Sequence, residues 1–150
     1  MNASNDSETE DQRPVRYNIG EAANASGVSA RMIRHYEATG LIRPPDRSLA
    51  NYRVYSEDDV HRLRFIRRAR DLGFAMEQIG RLLALWDDPC RSSADVKQLA
   101  LDHAASLGRK LDELRAMQQT LLTLASHCHG DDRPRCPILA DLSGESETKP

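Results

Sequence analysis

Cys128 and Cys136, separated by seven residues, bracket the run His127-Cys128-His129-Gly130-Asp131-Asp132-Arg133-Pro134-Arg135-Cys136-Pro137. Thiolate is a soft donor, suited to Cu(I), Zn(II) and related ions. Two thiolates give a monovalent d10 ion a linear site with one net negative charge, whereas zinc normally takes four ligands. The count therefore favours Cu(I), with Ag(I) and Au(I) as chemical mimics. His127, His129 and the third cysteine, Cys90, could add ligands and move the site toward a divalent ion. The same two thiols could instead close a disulfide, which would make a redox sensor, or stand idle.

A second set of residues suits nucleic acid. Arg31 and Arg34 lie three apart, on one face of a short helix behind the cap Ser29. An arginine can fork onto a guanine edge or clamp a phosphate, and a helix N-terminus attracts phosphate as well. Farther on, Arg47, Tyr52, Arg53 and Tyr55 interleave cations with aromatics in a segment stiffened by Pro44 and Pro45. That pattern predicts a strand, a loop and a strand, a basic wing that grips backbone phosphate. At least one of its tyrosines is expected to pack the wing onto the helices. The candidate DNA-contacting set is Ser29, Arg31, Arg34, Tyr36, Arg47, Tyr52, Arg53 and Arg70.

These groups need elements to position them. Residues 1–16 contain almost nothing apolar and are expected to be a disordered tail, as are residues 145–150. From Tyr17 the pattern turns helical, with Ile19, Ala22 and Ala23 inward and Ser26-Gly27 ending the element. A second helix follows from Val28, with Met32, Ile33 and Tyr36 inward and Gly40 at its close. Two short helices around a tight glycine turn make a helix-turn-helix, and the second of them would enter the major groove. Ser56-Glu57-Asp58-Asp59 starts a third helix, with a cap and acids in its first turn. Gly73 breaks it, and Phe74, Met76, Ile79, Leu82, Leu83 and Trp86 form the apolar face of a fourth. Residues 17–86 thus read as one winged helix-turn-helix domain, and residues 87–92 as a connector containing Cys90.

Residues 93–126 are then expected to form one long helix. Val96, Ala100, Ala104, Leu107, Leu111, Leu114, Leu121 and Ala125 recur at three- and four-residue spacings, with one gap. Such a helix would be about 50 Å long, and the rest of the chain is too short to cover it. The simplest partner is the same helix of a second subunit, packed along a seam through Leu107, Leu111, Leu114 and Leu121. Gly108, inside this helix, costs about 1 kcal/mol relative to alanine. Residues 127–144 complete the chain as a thiol loop and a short helix that begins with Pro137 and could roof that loop.

Composition agrees with a mainly helical protein of one domain plus an extension. Charged residues make up 29% of the 150 and aromatics 5%, so the core must be aliphatic. Residues 17–70 carry ten arginines against six acids, whereas residues 71–150 carry nine basic and thirteen acidic residues. A basic front half joined to an acidic rear half fits a nucleic-acid face attached to something else. No apolar run approaches the ~20 residues of a membrane helix, and three cysteines do not make a disulfide framework. The expected location is the cytoplasm, away from membranes. No catalytic triad, phosphate loop or acid–base pair is visible, so no enzyme is expected. A simple thiol metal carrier would have no use for a basic winged half.

Three segments carry a resemblance: Tyr17-Asn18-Ile19-Gly20-Glu21-Ala22-Ala23, Arg34-His35-Tyr36-Glu37-Ala38-Thr39-Gly40-Leu41-Ile42, and Asn51-Tyr52-Arg53-Val54-Tyr55. With them, residues 17–144 resemble the MerR family of transcription regulators. Asp88-Pro89, Ser93-Ala94-Asp95-Val96-Lys97, the Cys-x7-Cys loop and Cys136-Pro137-Ile138 resemble its copper-responsive branch. The resemblance implies an antiparallel homodimer, a coiled coil of the long helices, and a winged helix-turn-helix on promoter DNA beside RNA polymerase. It also implies a dimer that stays on the operator and switches from repression to activation by distorting the duplex. In the divalent-metal branch a cysteine stands where this chain has Ser93. Ser93 is thus a selectivity position, although its type also suits a plain helix cap. Lys97, one turn in, and the helix N-terminus of the other subunit could offset the charge of a two-thiolate site. Zinc, cadmium or lead sensing and thiol-redox sensing are the alternatives within the same family. A drug-sensing relative would carry a larger C-terminal domain.

Overall fold

Local capping chemistry fixes where the first elements begin. In the computed structural model, which describes residues 13–128, 130 and 136–144, Asn18 Oδ1 accepts from the Glu21 N–H at 2.9 Å, and the Glu21 carboxylate accepts from the Asn18 N–H at 2.8 Å. This capping box starts helix α1 at Ile19, and the helix runs to Ser26. Arg16 and Tyr17 therefore stay extended as strand β1, opposite Ser56 and Tyr55. The sequence pattern had put Arg16 in a tail and Tyr17 in a helix. The remaining residues of the expected tails, 1–12 and 145–150, lie outside those described.

Gly27 ends α1 with φ of 72°, its N–H donating to Ala23 O at 2.8 Å. Buried Ser26 holds the turn: its hydroxyl donates to Ala22 O and accepts from the Val28 N–H. Val28 is a buried spacer rather than the first helical residue. Helix α2 spans Ala30–Ala38 behind Ser29, whose Oγ accepts from the Met32 N–H at 3.2 Å. A Cβ at Gly27 would lie 1.7 Å from the Arg67 guanidinium. That long side chain can swing aside, so the left-handed backbone dominates the penalty. Gly27→Ala is expected to lower stability by about 1–2 kcal/mol, read from urea unfolding; no loss would show that the turn tolerates a side chain.

Strands β2 (Asp46–Arg47) and β3 (Arg53–Ser56) form the wing hairpin, and β1 adds a third strand in the order β1-β3-β2. Helix α3 (Glu57–Asp71) has its own capping box from Ser56 and Asp59. Helix α4 (Met76–Asp87) starts without a side-chain cap, although Gln78 accepts from the Ala75 N–H at 2.9 Å. Ile33, Tyr36, Ile42, Tyr55, Leu63, Ile66, Ile79 and Leu83 form the core of this unit. Trp86, expected on the inward face of α4, is 42% exposed and stacks on Phe65 with ring centroids 4.9 Å apart. Arg62 sits over the same indole and is ion-paired to Asp87.

The chain divides into the units Met1–Arg91 and Ser92–Pro150. In the second, helix α5 runs from Ser93 to His127, one residue beyond the expected end, and helix α6 (Pro137–Leu142) packs against it. Its cap is Ser92, whose Oγ accepts from the Ala94 N–H at 3.1 Å, so Ser93 is the first helical residue. Leu101, Leu107, Leu111, Leu114, Met117, Leu121 and Leu122 on α5 are all exposed in the single chain. Met117 fills the gap between Leu114 and Leu121 in the expected seam. No helix among the described residues is long and apolar enough to cross a membrane.

Candidate DNA interface and thiol site

On α2, Ile33 and Tyr36 face the core and leave Arg31 and Arg34 exposed on the opposite side. The wing is closed by a hydrogen-bonded turn. Ser48 N–H donates to Tyr52 O at 2.9 Å, Asn51 N–H donates to Ser48 O at 2.8 Å, and Arg47 Nη1 donates to Asn51 O at 3.0 Å. Asn51 carries the turn with φ of 64°, a left-handed conformation that Asn tolerates better than most residues. Tyr52 projects from it, 73% exposed, whereas Tyr55 is fully buried and packs the wing onto the helices.

Between α2 and the wing lies a groove of about 320 Å³ lined by Arg34, Glu37, Ala38, Pro44, Pro45, Arg47 and Arg53. The fold thus gathers three of the sequence-identified arginines, from α2, β2 and β3, around one opening. Arg70 lies elsewhere, with Ser29 and Tyr36, in a second depression at the start of α2. Tyr36 is only 2% exposed, and its hydroxyl accepts from Arg70 Nη1 at 3.1 Å. Its ring belongs to the core, so its part in any DNA contact is to steady Arg70. Arg67, one turn before Arg70, lines the same depression. It was not singled out from the sequence, although its three-residue offset from Arg70 on one helix was a visible signal.

Glu37 was also missed. Its carboxylate accepts from Arg53 Nε at 3.1 Å and from the Tyr55 hydroxyl. Burial, followed by this bond to an anion, raises the Tyr55 pKa well above the normal phenol value, so the hydroxyl stays protonated and donates.

The two thiols sit where helices end and begin. Cys128 caps the C-terminus of α5, its N–H donating to Ala125 O at 3.1 Å, and Cys136 stands at the N-cap of α6. Both are half-buried, at the end of α5 and the start of α6, helices that pack on each other. The backbone N–H groups at the start of α6, Leu139 first and then Ile138, hold the Cys136 thiol pKa below the ordinary value, with a smaller contribution from Cys128, although no capping bond to the sulfur closes. Donors that favour an anionic sulfur make this pair fit for a soft cation.

The other candidate ligands are placed differently. His127 is exposed, with Nδ1 2.8 Å from Thr123 O of its own helix. His129 lies outside the described residues. Cys90 is exposed in the first unit, its N–H bound to Asp88 Oδ1 at 2.8 Å. Among the described residues, no group of three or more His, Cys, Asp and Glu side chains gathers as a metal site. Ser93 and Lys97 lie at the far end of α5 from Cys128. The 35 residues of that helix separate the two ends by about 50 Å. One chain cannot bring them together.

Residues 17–85 match the family described as MerR HTH family regulatory protein, and residues 60–124 match that described as MerR, DNA binding. Heavy metal-dependent transcription regulator 2 of Rhizobium meliloti is 57% identical over 129 residues, covering 86% of this chain and 88% of the relative. The HTH-type transcriptional regulator CueR of Escherichia coli is 43% identical over 127 residues, covering 85% and 94%. Among solved structures, the lead(II) complex of the transcription regulator PbrR691 from Ralstonia metallidurans superposes with a TM-score of 0.75 at 35% identity, covering 84% of this chain and 98% of that one.

Proposed function

The chain belongs to the MerR family of helix-turn-helix transcription regulators, which act as homodimers on promoter DNA, and we propose that it answers Cu(I) held by Cys128 and Cys136 and activates copper efflux or detoxification genes. The observation that carries this reading is the thiol pair itself: two soft donors at the end of α5 and the start of α6, helices that pack on each other, one of them beside backbone N–H groups that favour its thiolate. Ag(I) and Au(I) share the linear preference and would mimic copper. Two thiolates around a monovalent ion leave one net negative charge, and the N–H donors at Cys136 offset part of it. Ser93 and Lys97 of the partner subunit would supply the rest of the surroundings. Only an antiparallel pairing of the α5 helices brings the start of one to the end of the other. Metal binding would then tighten the α5–α6 corner, and the dimer, already on the operator in the cytoplasm, would distort the duplex so that RNA polymerase can use the promoter.

The DNA face in this proposal is Ser29 at the cap of α2, Arg31 and Arg34 on α2, Arg47, Tyr52 and Arg53 in the wing, and Arg70 on α3, held in place by buried Tyr36. Arg31→Ala is expected to weaken operator binding by about 1–3 kcal/mol and to relax base preference at one position. Gel shifts on operator and scrambled duplexes measure both. A variant lacking Arg31, Arg34 and Arg53 that binds as well as the parent would remove the interface.

The likeness to a lead(II)-bound regulator favours a second reading, in which a divalent ion is sensed and His129 or Cys90 completes the ligand set. Ser93→Cys separates the two. It adds a thiolate at the start of the partner's helix, moves the site toward zinc's preferred number and offsets its second charge. Reporter transcription in that variant should begin to respond to cadmium or zinc, while the parent answers copper and silver. A parent that already answers zinc as well as copper would favour the divalent reading.

A further inference from the structure

Arg47 and Arg53 face each other directly across the β2–β3 ladder. Like charges at such a position repel, and a hairpin with only two residue pairs has little other pairing to hold it. The structure relieves this from outside the hairpin. Arg47 turns its guanidinium to the Asn51 carbonyl, and Arg53 turns to Glu37 at the end of α2. The Glu37 side chain is only 11% exposed, and both of its oxygens are engaged, one by Arg53 Nε and one by the Tyr55 hydroxyl. Glu37 is thus an anion set into the lining of a groove whose other charged groups are Arg34, Arg47 and Arg53.

A phosphate entering that groove would meet Arg53 already paired. Glu37 and the phosphate compete for one cation. We propose that Glu37 is a specificity-determining positioning residue, which holds the wing to the recognition helix and withholds Arg53 from any duplex that does not seat a phosphate in this groove. The inference rests on the DNA-binding reading above. On unrelated DNA the Glu37–Arg53 pair would persist, and only a duplex docked in register would exchange it for Arg53–phosphate. The carboxylate weakens all binding but weakens non-specific binding most. A sequence reader gains from this, because its competitor is the excess of unrelated DNA.

The test measures the affinity of the full-length dimer for operator and scrambled duplexes across a salt series. Glu37→Gln keeps an acceptor for Tyr55 and removes the anion. It should bind scrambled DNA several-fold more tightly and steepen the slope of log affinity against log salt by about two for the dimer, near one per freed arginine. The ratio of operator to scrambled affinity should fall. Asp46→Asn removes an exposed acid from the same wing and should give at most a small part of this change. In an Arg53→Ala background the Glu37→Gln effect should vanish. Should Glu37→Gln fail to fold, Glu37→Asp, which draws the carboxylate back by one methylene, should shift the slope in the same direction. The proposal is overturned if the slope is unchanged, if Asp46→Asn matches it, or if the gain survives without Arg53. A parent protein that binds neither duplex overturns the DNA-binding reading instead.

Discussion

Replacing either Cys128 or Cys136 by serine is expected to abolish copper-dependent transcription while leaving operator binding within about twofold of the parent. A serine hydroxyl stays protonated at neutral pH and is a hard donor, so one thiolate alone remains for the ion. The proposed DNA face lies on α2, the wing and α3, all in the first unit, and both thiols lie in the second. Loss of the ion therefore removes the signal and not the grip. His127→Ala and Cys90→Ser should change little, since His127 is exposed and bonded to its own helix and Cys90 is exposed in the first unit. Affinity for Cu(I) should also fall as pH is lowered, because protons then compete for both sulfurs. The N–H donors that lower the Cys136 thiol move that loss to more acidic pH. Reporter assays and gel shifts on the same variants measure the two functions separately. A Cys136→Ser protein that still answers copper would refute the pair.

Leu111→Asp should yield monomer or aggregate. Leu107, Leu111, Leu114, Met117 and Leu121 are 43–62% exposed in the single chain and share one face of α5. Burial of such side chains against a second helix is worth ~1.5–3 kcal/mol each, and truncation of a buried leucine typically costs ~2–5 kcal/mol. The two-fold axis repeats the loss in both subunits, and aspartate adds a charge to be desolvated. Sedimentation of the variant as an intact dimer would show that the seam runs along another face.

The helices were legible because their period and caps are local. Ser29, Ser56 and Gly27 act within a few residues of where they stand, and the Cys136-Pro137 junction starts α6 as its sequence suggests. The start of α1 was misread because Ile19, Ala22 and Ala23 carry the helical pattern, while the reciprocal Asn18–Glu21 bonds that exclude Tyr17 are polar and leave no apolar trace. Trp86 lies on the apolar face of α4 as expected, against Phe65 of α3, but at the rim of the core, where it stays 42% exposed. Glu37 could not be found at all. It stands sixteen positions before Arg53, and only the folding of β3 against α2 brings the acid to the cation. Met117 was hidden differently: it follows Leu114 by three residues and precedes Leu121 by four, and the seam had been traced through leucine and alanine.

The central claim, a two-thiolate site selective for a monovalent ion, is tested most directly by anaerobic titration of the reduced dimer with Cu(I) and with Zn(II), followed by X-ray absorption at the metal edge. The account predicts one copper per thiol pair with two sulfur neighbours and no nitrogen, and far weaker zinc binding. Zinc held as tightly as copper, or copper with three or more sulfur or nitrogen neighbours, would contradict it.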